Sequence, residues 1–160
     1  GIQRSSATPP GAWTTTTPPG AIKEEPKKDI VKIMLAHGTP YVATASVAYP
    51  DDLVAKFRKV RRIKGTKFIH LLSPCPPGWR IDSSQSVKVA RMATQANVFP
   101  IYEIENGGYT INVVPEKKLP VKDYMEAQGR FRMISKEMLN AVQDRVDRRW
   151  EQLLENSAAP

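Results

Sequence analysis

The chain has 160 residues, a net charge of +8, 14 prolines and a single cysteine. This length suits one domain with a core of its own, and one cysteine excludes an internal disulfide framework and fits a reducing, cytoplasmic setting. No apolar run has the length of a membrane span and no stretch has the order of a signal peptide, so neither a membrane anchor nor export is expected.

The first residues, Gly1-Ile2-Gln3-Arg4, lack an initiator methionine and read as loop, which favours the later part of a longer chain over a processed product. Residues 1–26 carry two Pro-Pro-Gly turns, at Pro9-Pro10-Gly11 and Pro18-Pro19-Gly20, around the threonine run Thr14–Thr17. Trp13 in this stretch points to an ordered functional loop, since disordered tails are poor in aromatics. A helix is expected from about Lys27 to His37, with Ile30, Ile33, Met34 and Leu35 as its apolar stripe and Gly38 behind it as a cap. Tyr41–Ala48 reads as a strand whose small residues allow close backbone approach. Asp51 is the expected N-cap of a second helix ending near Gly65.

Lys67-Phe68-Ile69-His70-Leu71-Leu72 follows as a short apolar strand. Ser73-Pro74-Cys75-Pro76-Pro77-Gly78-Trp79 then forms a stiff loop, because three prolines and a glycine forbid continuation of the sheet. Ser83 or Ser84 can cap a helix with Val87, Val89, Ala90 and Ala93 facing inward. Val98–Ile104 is a further strand, joined at Asn106-Gly107 to Tyr109–Val113 by a hairpin turn. Two helices close the chain: one starting at Pro120 with Val121, Tyr124 and Met125, the other from about Lys136 to Glu155 with Leu139, Val142, Val146, Trp150 and Leu153 on one stripe. Residues 156–160 read as a frayed end. The alternation predicts an α/β domain with a mainly parallel sheet, flanking helices and an antiparallel edge hairpin.

The basic run Lys56, Arg58, Lys59, Arg61, Arg62, Lys64, Lys67 admits a nucleic-acid patch or a docking surface for an acidic partner. Leu53, Val54, Phe57 and Val60 keep helical spacing through the same segment, so the preferred reading is a solvated helix face. Cys75 sits just beyond a strand, where open α/β sheets gather their ligands. A buried core thiol, a nucleophile and a metal or cluster ligand are its competing roles. His70 is a poor partner for it, since five residues along a strand place the two on opposite faces. His37 suits a helix C-terminus, His70 a core position, and Glu103 and Glu105 the polar face of an edge strand. There is no dinucleotide fingerprint, Walker loop or His-Glu-x-x-His zinc motif.

Gly1-Ile2-Gln3-Arg4-Ser5-Ser6-Ala7-Thr8-Pro9, Gly11-Ala12, Thr14–Thr17, His37–Ser46, the Cys75 loop, Phe99–Glu103 and Gln128-Gly129-Arg130-Phe131 together resemble the thiamine-diphosphate-binding β subunit of pyruvate:ferredoxin oxidoreductase. The resemblance covers essentially the whole chain, in family order. It implies a thiamine-diphosphate-binding fold, incomplete here, with residues 1–26 as a cofactor-proximal loop, 27–118 as the α/β part and 119–160 as a C-terminal helical extension. It also implies a 4Fe–4S cluster with Cys75 as its fourth thiolate and three cysteines in the amino-terminal part of the subunit. The family's Gly-Asp-Gly and Asn-Glu-Ala segments, which hold Mg²⁺ and the diphosphate, would precede Gly1. Gly1, Ile2 and Gln3 are then the residues expected to face the cofactor or substrate.

The implied reaction is thiamine-diphosphate-dependent, coenzyme A-linked oxidative decarboxylation of a 2-oxoacid, with electrons passing through 4Fe–4S clusters to ferredoxin. Gly1-Ile2-Gln3 resembles the pyruvate type rather than the Lys-Gly-Gln of broad-specificity enzymes; oxalate and phenylglyoxylate oxidoreductases are alternatives within the family. The expected partners are the remaining part of the β subunit, further α-, γ- and δ-type subunits and ferredoxin, without nucleic acid or membrane. The chain alone is expected to be inactive. Outside the family, the alternatives are a non-catalytic basic α/β binding domain and a plain structural domain with a buried thiol.

Overall fold

Four strands, β1 (Tyr41–Ser46), β2 (Lys67–Leu72), β3 (Ile101–Glu105) and β4 (Gly108–Val113), form one sheet in the order β2-β1-β3-β4. Helices α1 (Ile30–Ala36), α2 (Pro50–Val60), α3 (Pro76–Trp79), α4 (Ser86–Gln95), α5 (Val121–Glu126) and α6 (Lys136–Ala158) accompany it. This is a computed structural model, which describes residues 3–158. Among these residues no helix is long and apolar enough to cross a membrane.

The unit β1-α2-β2 is a parallel crossover, in register from Tyr41 opposite Lys67 to Ser46 opposite Leu72. β3 runs antiparallel to β1, with Val42 opposite Ile104, and β4 folds back antiparallel on β3. At the hairpin Asn106 and Gly107 have φ of 50° and 90°, the backbone that an Asn-Gly pair adopts at little cost. The α/β class and the antiparallel hairpin agree with the sequence. The parallel portion is narrower than expected, one pairing of three, because β3 enters from the end where β1 and β2 leave. Thr44 holds it there: its Oγ1 donates to the Pro100 carbonyl (2.7 Å) and accepts from Tyr102 N (3.0 Å).

β1 is buried along its whole length, and its Ala43, Ala45 and Ser46 let both faces be covered closely. Val42, Tyr102 and Ile104 pack with Val31 of α1 and Leu153 of α6. A larger cluster lies past the strand ends, where Trp79, Phe99, Ile101, Tyr124, Val142 and Val146 meet.

Several local expectations are corrected. The Asp29 carboxylate accepts from Lys32 N and starts α1 three residues later than Lys27; Val31 is its buried residue, while Ile33 is exposed. α2 is capped by Tyr49, not Asp51, because Pro50 takes the first-turn position and places Asp51 and Asp52 inside the first turn. It stops at Val60, ahead of Gly65. The Asp82 side chain, rather than Ser83 or Ser84, caps a 3₁₀ turn leading into α4, which buries Val89, Ala90 and Ala93 and leaves Val87 exposed. β1 ends at Ser46, β3 begins at Ile101, and Pro120 caps α5 from outside. α6 continues through Ala158, past the expected frayed end at 156, with Val142, Val146 and Leu153 buried as its spacing requires.

Candidate functional site at the strand ends

β1 and β2 finish side by side, with Val47 N donating to the Leu72 carbonyl (3.3 Å). Beyond β2, Cys75 stands in extended backbone (φ −108°, ψ 98°) as the N-cap of α3. Pro76 and Pro77 suit the first turn, so the rigid loop expected here closes as one helical turn, with Trp79 N donating to the Cys75 carbonyl (2.8 Å). The Cys75 side chain is a free, half-buried thiol.

Two distant segments interlock with this turn. Arg80 adopts φ 57°, and its carbonyl accepts from Gly129 N (3.2 Å). A side chain at 129 would bring a Cβ to 2.9 Å from the Arg80 Cβ, so the approach requires glycine. The next residue, Arg130, is 2% exposed, and its guanidinium lies 3.9 Å from the Trp79 ring centre. Its Nε donates to Gln128 Oε1 (2.9 Å) and its carbonyl accepts from Trp13 N (2.7 Å). Burial lowers its pKa, against the opposing influence of Tyr124 and Cys75. Trp13 in turn lies beneath Arg80 (3.5 Å) and Arg132 (4.4 Å). The amino-terminal loop, the Cys75 turn and residues 128–132 are thus held together by cations stacked on aromatic rings.

The amino-terminal loop is ordered, as Trp13 suggested, by its own polar groups. Arg4 N donates to Thr16 Oγ1 (2.7 Å), Thr14 N donates to Thr17 Oγ1 (3.1 Å), and Thr8 Oγ1 donates to the Gln3 carbonyl (2.7 Å). Gln3 is exposed at the start of this loop. Gly1 and Ile2, the other residues expected to face a cofactor, lie outside the described residues.

His70 sits in β2 opposite Thr44, edge-on to Phe99 with centroids 5.1 Å apart. Burial pushes its pKa down to about 4, and Lys27 adds to the effect, so it is neutral at pH 7. Glu103 is not on an edge: β3 lies between β1 and β4, and the carboxylate is nearly buried. It accepts from Tyr41 Oη (2.5 Å) and from Lys59 Nζ (2.7 Å). Burial would raise its pKa, but these two donors outweigh it and hold the carboxyl below its ordinary range. Lys59 also reaches Glu105 (2.8 Å), so the acids serve an ion-pair network at the start of β1, away from the Cys75 turn.

Sequence reasoning missed the arginines of this site. The short motif Gln128-Gly129-Arg130-Phe131 was the one available signal, since nothing local announces a stack between residues fifty apart. The donor set also limits what the chain can hold. A half-buried free thiol can supply one corner of an iron–sulfur cluster. Among the described residues no group of three or more His, Cys, Asp or Glu side chains converges, so a complete cluster or a carboxylate-bound Mg²⁺ does not fit within them alone.

No family model matches the chain. It is 47% identical over 158 residues to the ketoisovalerate oxidoreductase subunit VorB of Pyrococcus horikoshii, covering 96% of this chain and 51% of that protein. The pyruvate synthase subunit PorB of Methanocaldococcus jannaschii is 44% identical over 150 residues, covering 92% and 50%. For the pyruvate synthase subunit PorB of Thermotoga maritima the identity is 41% over 162 residues, covering 96% and 50%. The chain thus spans about half the length of these curated relatives.

Proposed function

From its similarity to these subunits, we propose that the chain is the carboxyl-terminal part of a 2-oxoacid:ferredoxin oxidoreductase β subunit and works in oxidative decarboxylation of a 2-oxoacid with coenzyme A, ferredoxin taking the electrons. The observation that carries this reading is similarity of 41–47% along nearly the whole chain to subunits named for that class of enzyme. Pyruvate is the substrate favoured by Gly1-Ile2-Gln3. The relatives' names add ketoisovalerate, so the substrate class is a small 2-oxoacid, and turnover with pyruvate against 3-methyl-2-oxobutanoate decides between them.

Cys75 supplies one thiolate to a 4Fe–4S cluster whose other ligands come from outside this chain. The turn that holds it suits that task. Pro76 and Pro77 restrict its backbone, Trp79 belongs to the core cluster that Cys75 packs against, and the Arg130 guanidinium lies over the Trp79 ring. Gly1, Ile2 and Gln3 are the residues assigned to the cofactor or substrate, and the Thr14–Thr17 turn fixes the loop that follows them. When bound, thiamine diphosphate supplies the carbanion chemistry of decarboxylation, and the clusters supply one-electron transfer. The further subunits expected of such an enzyme complete the site.

The test is EPR spectroscopy with iron and sulfide analysis of the assembled oxidoreductase, wild type against Cys75→Ser. The expected result is loss or marked change of one cluster signal, with oxoacid-dependent electron transfer reduced by about tenfold or more. An unchanged spectrum and iron content would return Cys75 to a packing role.

A further inference from the structure

A cavity of about 220 Å³ opens beside the end of β2, between the amino-terminal loop and α6. Among the described residues four cationic side chains line it, Lys27, Arg130, Arg145 and Arg149, and no carboxylate does. They come from three separate parts of the fold. Arg145 and Arg149 stand on successive turns of α6, Lys27 precedes α1, and Arg130 follows α5. Arg149 has an ion pair with Asp29 at 3.7 Å, partly exposed on both sides. Arg130 is nearly fully buried, and the hydrogen bond its side chain makes through Nε goes to a neutral amide.

A buried guanidinium without an anionic partner is costly, and mutual repulsion of four cations against apolar walls adds to the cost. Lys27 registers that field. Its pKa falls to about 8, first through burial and then through Arg149 and Arg130. An anion in the cavity relieves both penalties. Arginine forks match tetrahedral oxyanions two atoms at a time, and several converging cations suit a multiply charged group better than a single carboxylate. The remaining wall is mostly apolar, with Trp79, Phe99 and Val142 beside His70, Ser73 and Tyr124, and has room for an organic portion.

We propose that this cavity binds a phosphoryl group, the phosphate or pyrophosphate moiety of an anionic ligand, through Arg130, Arg145, Arg149 and Lys27. The group can belong to a phosphorylated cosubstrate or be free inorganic phosphate. The site stands on charge and shape, whatever oxoacid the enzyme uses.

The probe is inorganic pyrophosphate, titrated calorimetrically into the assembled oxidoreductase in the absence of oxoacid, with acetate as the monoanion control. Arg145→Gln/Arg149→Gln is the variant of choice, because it alters side chains on one long helix and leaves the buried Arg130 in place. Thermal melting confirms that it folds. The expected result is pyrophosphate binding weakened at least tenfold in the variant, with no comparable binding of acetate. Equal affinity in the variant, or equal binding of acetate, overturns the proposal. Coenzyme A competing for the variant-sensitive binding assigns the phosphoryl group to that cosubstrate; failure to compete, with binding retained, assigns it to inorganic phosphate. Either supports the site. Binding is read without turnover, so loss of oxoacid activity leaves this result standing, and loss of this binding leaves the oxoacid reading standing.

Discussion

His70 carries the clearest pH signature of any single residue. Its pKa in the fold is about 4, below its ordinary 6.5, because the ring is half-buried and Lys27 lies near. Between those values the unfolded chain holds a proton that the folded chain does not. Stability attributable to His70 is therefore full above pH 6.5 and lost as pH falls towards 4. The whole shift would correspond to about 3 kcal/mol, and water at the partly exposed ring reduces this to about 1–2 kcal/mol. His70→Gln cannot titrate. Urea melts of the purified subunit at pH 7 and pH 4.5 should show wild type losing about 1–2 kcal/mol more than the variant across that interval. Parallel losses in the two proteins would place the acid sensitivity elsewhere.

Helix α2 shows where a sequence reading by hydrophobic spacing succeeds and where it fails. The spacing located the helix, and the basic run lies on a solvated face as expected except at Lys56, while part of the apolar stripe is exposed. Lys56, expected in a solvated basic face, is 2% exposed and donates to the Thr44 carbonyl (2.9 Å) and the Asp52 carboxylate (2.8 Å). Phe57, expected inside, is 52% exposed. The partner surface decides this, because α2 meets a strand that offers a free carbonyl oxygen, and a lysine head satisfies it along with Asp52. A hydropathy pattern holds no information about that acceptor. Elements whose partners are apolar, such as α6 and the small-residue strand β1, were legible, as was the Asn106-Gly107 turn, whose backbone is set locally. The Cys75 turn was legible for the same local reason, its prolines. Its setting among Trp13, Arg80 and Arg130 was not, because those contacts join segments far apart in the chain. The exchanged burial of Lys56 and Phe57 has a direct test in denaturant melts. Lys56→Met keeps the volume but strands Asp52 and the Thr44 carbonyl, at a cost of about 2–3 kcal/mol, whereas Phe57→Ala should cost less than about 1 kcal/mol. The reverse order would mean that Lys56 too belongs to the solvated face.

At the scale of the molecule, the open features gather on one flank. β2 has β1 as its one described neighbour in the sheet, and its outer edge is half-exposed along the strand. An unpaired strand edge is a template for further chain. The Cys75 turn begins where that edge ends, and the cationic cavity lies beside it. The curated relatives are about twice as long as this chain. On the proposed function, the remainder of such a subunit would lie against this flank and bring the other cluster thiolates. Such an arrangement makes the reactivity of one thiol a report on assembly. In the isolated 160-residue chain, Cys75 is half-buried and should react fully with a small aromatic disulfide reagent, with iron and sulfide near background. In the assembled, cluster-loaded enzyme the same thiol should react at least about tenfold more slowly, and anaerobic removal of iron with a chelator should restore the rate. Equal rates in all three states would show that Cys75 ligates nothing and that the flank is not closed around it. Protection that survives removal of iron would assign the covering to packed chain rather than to a cluster, and would keep the docking flank while removing Cys75 from the electron path.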